Sequence, residues 1–569
     1  MTCETSNLFG PVFEGDLVRF RLWAPAVPSA SLEIEGNAPK PMSRSKHGWF
    51  EADVHCAPST RYAFRVNGIR IPDPASRGQC GGAHGWSVLA PPMENETPSR
   101  GWQGRPWHEA VIYETHVGLE GGFARLAERF PSLRNLGITA IELMPVAAFP
   151  GERNWGYDGV LAFAPAEAYG APLELKVLVE RAHELSLMVF LDVVYNHFGP
   201  DGNYISLCAP QFFRTDIATP WGAAIDFRQA EVRRFFVENA LYWIHEFQFD
   251  GLRLDAVHAI SQRDWLIELA REVRSSVAGG RHVHLILEND NNDSELLRSG
   301  FDAQWNDDFH HVVHHLLTGE RFGYYADHAN APAERLARAL RDGFDYQGEF
   351  SYHRSSNRGT ATDDLLPTAF ISFLQNHDQI GNRAQGERLT NLADATALKA
   401  AIALMLLCPQ IPMLFLGDEI GSRAPFLYFT DHEAKLAKAV RKGRAAEFPL
   451  LNESSVPDPN AAETFQRSFP GAIAPESQEW CTYFRELLSV RHKEIVPRLA
   501  GAQRRAADAI GQAAVRASWT MSDGSLLTLA ANLAEETVSA DLPSHMPIWG
   551  RPANGKLPPC TTIAWMKAA

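Results

Sequence analysis

Cysteine is scarce: seven residues in 569, scattered at Cys3, Cys56, Cys80, Cys208, Cys408, Cys481 and Cys560. Their number is odd and none are spaced as C-x-x-C, so neither a disulfide framework nor a zinc site is expected. Long apolar runs are also missing. Nothing approaches the ~20 residues that cross a bilayer, and the N-terminus MTCETSNLFGPVFEGD has no basic segment followed by an apolar one. The expectation is a cytoplasmic protein that does not engage a membrane. Positive charge is in deficit, with 53 Lys and Arg against 68 Asp and Glu and a formal net charge of −15. Nucleic-acid phosphates call for the opposite sign, so nucleic acid is excluded as a partner and a neutral substrate such as a sugar fits. No repeat or low-complexity tract is present.

The rest of the composition is that of an ordinary globular protein, 45% hydrophobic and 21% charged, and the length calls for several domains. Residues 1–95 alternate over short runs such as Val18-Arg-Phe-Arg-Leu-Trp23, Ser31-Leu-Glu-Ile34, Trp49-Phe-Glu-Ala-Asp-Val54 and Tyr62-Ala-Phe-Arg-Val66. Pro, Gly and Asn turns separate them, which predicts a small β-sandwich. Core packing is the expected role of Trp23 and Trp49, ahead of glycan binding. The segment 90–102 has linker composition. Across 105–484, strand-like runs alternate with helical patterns such as 173–185 and 230–247. Candidate strands begin near Val111, Thr139, Met188, Phe249, His284, Phe301, Ala369 and Pro412. Eight β/α units predict an α/β fold, a (β/α)8 TIM barrel with insertions. An open doubly wound sheet is disfavoured because no G-x-G-x-x-G follows the first strand. Helices are expected to stop near 485, leaving a small C-terminal antiparallel β domain over 485–569 with strands at Val515–Trp519, Ser525–Ala530 and Thr561–Trp565.

The chemistry gathers around Phe249-Asp-Gly-Leu-Arg-Leu-Asp-Ala-Val-His-Ala-Ile260. Period-two alternation puts Arg253 and Asp255 on the face opposite Leu252 and Leu254. A buried guanidinium and carboxylate persist only when paired or when function requires them. Three more strand ends are polar: Asp192-Val-Val-Tyr-Asn-His197, Glu288 after Leu285-Ile-Leu287, and Asn376-His-Asp378. In a barrel such ends converge on one bowl. Several carboxylates around one cavity suit glycoside hydrolysis, in which one attacks and a protonated one donates to the leaving oxygen.

In order and context these four stretches resemble the signature regions of the α-amylase superfamily, glycoside hydrolase family 13. The resemblance implies Asp255 as nucleophile, Glu288 as general acid/base and Asp378 as transition-state stabiliser. It implies further that Arg253 orients the nucleophile and that His197 and His377 bond the sugar ring on the cleaved side. Tyr157, in Asn154-Trp-Gly-Tyr-Asp158, would stack beneath that ring, and Asp158 and His258 would join the substrate contacts. Trp155-Gly-Tyr-Asp-Gly-Val160, Thr219-Pro-Trp-Gly-Ala-Ala-Ile-Asp-Phe227, Ala303-Gln-Trp-Asn-Asp-Asp-Phe-His-His311, Phe373-Leu-Gln-Asn-His-Asp-Gln-Ile-Gly-Asn-Arg383 and Pro425-Phe-Leu-Tyr-Phe-Thr-Asp-His432 look like one family within it, the malto-oligosyltrehalose trehalohydrolases. That family cuts the α-1,4 bond beside a terminal α,α-trehalose. The implied partners are maltooligosyltrehalose and α-1,4-glucan substrates and the trehalose product. Gly417-Asp-Glu419 departs from the family pattern and puts local substrate contacts there in doubt.

Other residues stand between two readings. Trp221 is a stacking platform for glucose or plain packing. Asp307 and Asp308 touch the trehalose end or are solvated acids at a helix start. His310, His311, His314 and His315 have helical spacing but no accompanying carboxylate pattern, so a helix lining the cleft is expected rather than a metal site. Asp192 is expected to pair structurally with Arg253. No cofactor and no metal are expected, since the mechanism needs none and no oxygen-rich Ca²⁺ loop stands out. A branching enzyme shares the same domain order and carboxylates. A non-catalytic glycan binder on this scaffold would have lost a catalytic carboxylate, and all three are here.

Overall fold

A computed structural model describes residues 8–90, 101–219, 222–277, 279–471, 475–552 and 555–569. Trp221 and residues 91–100 of the linker lie outside the described residues. The eight predicted strands close into one parallel barrel in chain order. They are β1 (Ile112–Thr115), β2 (Ala140–Leu143), β3 (Met188–Val193), β4 (Gly251–Leu254), β5 (His284–Leu287), β6 (Ala303–Trp305), β7 (Phe370–Ser372) and β8 (Ile411–Phe415). Strands buried on both faces by a ring of helices have to be apolar almost throughout, which is why they stand out as short hydrophobic runs. Alternation then sorts the inward side chains by height. Ile112, Ala140, Met188, Phe190, Ile286 and Ile371 belong to an apolar cluster inside the barrel, closed from the amino-terminal end by Trp107, whose indole donates to the Thr368 carbonyl at 2.7 Å. Higher up, the inward positions turn ionisable: Glu114, Glu142, Asp192 and Arg253 are all buried.

The N-terminal sandwich has one sheet of four strands and one of six. It docks on the barrel through aromatics. Phe9 meets Trp49 at 4.9 Å and Phe235 of the barrel at 5.0 Å, while Trp23 meets Phe212 at 5.5 Å. Both tryptophans therefore pack, as their size predicts. At the other end the helix Pro475–Val490 continues through a wide turn, Arg491–Ile495, and a tight one, Val496–Arg498. Helical structure thus runs past the predicted boundary at 485. The run Arg491-His-Lys-Glu494 looks like a polar helix end, but Leu487, Leu488, Arg491, Ile495 and Leu499 keep a buried face against the barrel. The C-terminal sheet follows, with strands Gln503–Gly511, Ala514–Thr520, Leu526–Asn532 and Thr561–Lys567. Among the described residues no helix is long and apolar enough to cross a membrane.

Arg491 joins these parts. Fully buried, it donates to the carbonyls of Leu406 and Cys408 at 2.9 and 2.7 Å and of Gln410 at 2.9 Å, filling the orphan acceptors where a barrel helix ends. Arg491→Met should destabilise the fold by about 2–4 kcal/mol, from lost charge-assisted bonds and unsatisfied carbonyls, without altering turnover per folded molecule. Denaturant titration with active-site counting checks this; an unchanged midpoint would refute the anchoring role.

Candidate active site

A cavity of about 910 Å³ opens at the carboxyl ends of the strands. Asp255, Glu288 and Asp378 all line it, delivered by the chain just after β4, β5 and β7. Arg253 organises them from below. Its Nη1 donates to Asp255 Oδ1 at 2.8 Å and to both oxygens of Asp192 at 2.9 and 2.8 Å. Its Nη2 lies 3.0 Å from Glu288 Oε2, and the guanidinium sits 3.9 Å above the Trp305 ring. A single guanidinium touching both Asp255 and Glu288 keeps the two carboxyls close. That suits the about 5–5.5 Å of retaining glycosidases better than the about 6.5–9.5 Å of inverting ones. Between the two, Ala256 takes a left-handed conformation (φ 41°, ψ 48°), uncommon for a residue with a Cβ. The turn aims the Ala256 amide at Glu288 Oε2, 2.7 Å away.

The electrostatics separate the pair. Burial opposes the Asp255 charge, but the Arg253 guanidinium and the Asn196 amide, 2.7 Å from Oδ2, outweigh it and hold this carboxyl below its ordinary value. Burial and the neighbouring Asp255 and Asp378 carboxylates lift Glu288 well above its own, despite Arg253. The two carboxyls are thus driven apart, Asp255 toward the ionised form and Glu288 toward the protonated one.

Around the carboxyls, Tyr157, Asp158, His197, His258 and His377 line the cavity. The Tyr157 hydroxyl donates to Asp192 Oδ2 at 2.7 Å and lies 2.9 Å from His377 Nε2, which fixes the ring. His197 Nε2 lies 2.9 Å from the Tyr157 carbonyl. Asp158 accepts from Asn154 at 2.6 Å and sits 3.5 Å from His432. Of the four histidines on the helix Asp307–Thr318, only His311 reaches the cavity. His310 bonds the Leu374 carbonyl and Tyr325, and His314 bonds Glu320.

Two expectations need correction. Asp308 does not reach the cavity: it has no exposed surface. Its Oδ2 accepts from Asn292 and from the amides of Asp345 and Tyr346, and its Oδ1 from Arg358. The next residue round the helix, Asp307, is the one at the cavity wall, where burial raises it to about 7. Gly417-Asp-Glu419 does not line this cavity either. Glu419 pairs with Arg129 at 2.8 Å and Tyr113 at 3.0 Å, and Asp418 accepts from Gln375 at 2.6 Å. These are scaffold bonds beneath the barrel rim. Sequence reading also assigned no role to Asn196 or Glu114. Alternation along β1 marks Glu114 as inward, but its partner lies 263 residues away.

Among the described residues one trio, Asp308, His311 and His328, brings potential metal ligands within 4.8 Å of one another. Arg358 already supplies the cation on Asp308 Oδ1, so the cluster works as a salt-bridged post under the loop that carries Arg354 and Arg358 to the cavity.

Against known proteins, the family described as "Alpha amylase, catalytic domain" matches residues 95–208, and "Domain of unknown function (DUF3459)" matches 502–565. The malto-oligosyltrehalose trehalohydrolase of Saccharolobus solfataricus is 41% identical over 77% of this chain and 80% of its own length. That of Deinococcus radiodurans is 38% identical over 85% of this chain and 83% of its own. The chain belongs to the malto-oligosyltrehalose trehalohydrolase family. A crystal structure of a Salmonella typhimurium protein assigned to the alpha amylases covers 98% of this chain and 99% of its own, with TM-score 0.93 and 42% identity. By contrast, a branching enzyme of Bordetella pertussis aligns over only 43% of this chain and 38% of its own, at 31% identity. Likeness to the trehalohydrolases thus covers more than three quarters of the chain, whereas likeness to the branching enzyme covers less than half of it.

The two adjacent acids should respond differently to neutralisation. Asp308→Asn strands the buried Arg358 and should cost about 3–5 kcal/mol of stability. Asp307→Asn should leave stability within ~0.5 kcal/mol while changing KM. Thermal denaturation and Michaelis kinetics on the same pair of variants check this; equal stability losses would void the distinction.

Proposed function

We propose that Asp255, Glu288 and Asp378 carry out the family's reaction in this chain. The protein is a retaining glycoside hydrolase that cleaves the α-1,4-glucosidic bond adjacent to the terminal α,α-trehalose of maltooligosyltrehalose and releases trehalose. Glu288 gives its proton to the glycosidic oxygen as the bond to the anomeric carbon breaks. An Asp255 oxygen bonds to that carbon, forming a β-glycosyl ester. Asp378 stabilises the oxocarbenium-like transition state between them. Water then attacks the same carbon, the Glu288 carboxylate takes its proton, and Asp255 leaves as a carboxylate. Tyr157, Asp158, His197, His258 and His377 hold the sugar. The observation that carries this reading is the Arg253 guanidinium in contact with both Asp255 and Glu288, in surroundings that lower the first carboxyl and raise the second.

A branching enzyme would pass the same glycosyl ester to another sugar, and the carboxylates alone do not distinguish the two. The length over which trehalohydrolases match favours water as the acceptor. A glycan binder without activity would not need three carboxyls around a single cavity. A cytoplasmic location and α-1,4-glucan substrates are part of the same proposal.

On maltotriosyltrehalose the protein should release free trehalose rapidly and act little on maltotetraose or amylose, read by chromatography. Equal cleavage of all three would make it a general α-glucan hydrolase, and new branch points on amylose a branching enzyme. Asp255→Asn and Glu288→Gln should each lower kcat at least about 10²-fold without unfolding the chain. With a maltosyl fluoride, whose leaving group needs no proton, Glu288→Gln should still form the glycosyl ester and Asp255→Asn should not. The opposite result would exchange their roles.

A further inference from the structure

We infer that Glu114 is a positioning residue of this reaction, holding His377 as a doubly protonated imidazolium and thereby ordering Tyr157 and Asp378 on the cavity floor. The inference rests on the site roles given above. It follows from hydrogen-bond directions. Glu114 points inward from β1 and is 1% exposed. Its Oε1 lies 2.5 Å from His377 Nδ1, and its Oε2 accepts the His377 backbone amide at 3.2 Å. At the other side of the ring, Nε2 lies 2.9 Å from the Tyr157 hydroxyl. That hydroxyl has one proton and gives it to Asp192 Oδ2 at 2.7 Å. Asp192 accepts there: Arg253 donates to both of its oxygens and works against the burial that lifts this carboxyl to about 7. The Tyr157 oxygen is left to accept from Nε2–H, while the Glu114 carboxylate accepts from Nδ1–H. Two ring protons make His377 a cation.

Negative charge also belongs on Glu114 rather than on its neighbour. Glu142 faces Glu114 across β1 and β2 in register, and neither of its oxygens has a hydrogen-bond partner among the described residues. Burial, and then Glu114, push Glu142 well above the ordinary carboxyl range, which favours its neutral form. The other charged or titratable groups facing His377 are Arg253 and His116, which oppose its charge, and Asp378, which favours it. Burial opposes the charge most, yet Glu114 and Asp378 lift the imidazole to about 9. Nε2 also lies 3.5 Å from Asp378 Oδ1. The cation thus offsets negative charge gathered at the cavity floor and gives Asp378 a fixed neighbour.

Because the His377 pKa is raised, its charge is present below about 9 and lost above it. Glu114→Gln keeps an acceptor at Nδ1 but removes the charge, so the ring should lose its proton at lower pH. The test is ¹⁵N NMR of histidine-labelled protein, with His377 assigned by its loss in His377→Asn, alongside kinetics on maltotriosyltrehalose. Wild-type protein at pH 7 should show both ring nitrogens protonated, and Glu114→Gln only one. Glu114→Gln should also lower kcat about tenfold or more, with a much smaller change in KM and an alkaline limb displaced by about one pH unit or more toward acid. Glu114→Asp should restore most of the rate. A neutral His377 ring in the wild type at pH 7 would overturn the inference even if no variant folded. So would a Glu114→Gln variant with unchanged kcat and pH profile. Failure of the substrate reading would appear separately, as wild-type protein that releases no trehalose while the NMR result stands.

Discussion

The site depends on one buried guanidinium. Arg253 has no exposed surface, yet it touches three carboxyls at once, Asp192, Asp255 and Glu288. An isolated charge at that depth would not be tolerated. Nor would three carboxyls crowd so close together without a cation. Each side makes the other possible, and the geometry of the Asp255–Glu288 pair is set by the planar fork between them. The Trp305 face beneath the guanidinium excludes water and adds a cation–π contact that a flexible, strongly hydrated lysine would fill less well.

A second ion pair, Glu114 with His377, repeats the arrangement on the far side of the cavity floor, with Tyr157 and Asp192 as the bridge between the two. The two cations allow this group of buried acids to divide its labour. Asp255 is drawn toward the ionised form by Arg253, while burial and neighbouring carboxyls push Glu142 and Glu288 toward the neutral form. One residue class thus yields carboxyls of opposite tendency through environment alone.

The barrel supplies the precision. Its lower interior is an apolar cluster including Phe190, Ile286 and Trp305. Packing of that density resists small displacements, so the polar layer above stands on a rigid base. The sandwich and the C-terminal sheet lie away from the carboxyls. They act through junctions such as Phe9 with Phe235 and Arg491 with the end of a barrel helix.

The sequence alone determined what depends on local pattern. Eight short apolar runs, each buried on both faces, were legible as barrel strands because parallel sheets require them. Period-two alternation set Arg253 and Asp255 on one face, and the ordered motifs marked the carboxylates and the family. The tertiary structure decided whatever depends on distance across the barrel. It separated Asp307 from Asp308, adjacent in sequence, because one helical step turns a side chain by about 100° and sends one to the cavity and the other under Arg358. It carried the last long helix past 485, where Arg491 turns a polar run inward. It also joined Glu114 to His377, since a strand-end acid shows its partner only once the sheet has closed. Local periodicity is written in neighbouring residues, whereas a buried charge finds its counter-ion through the fold.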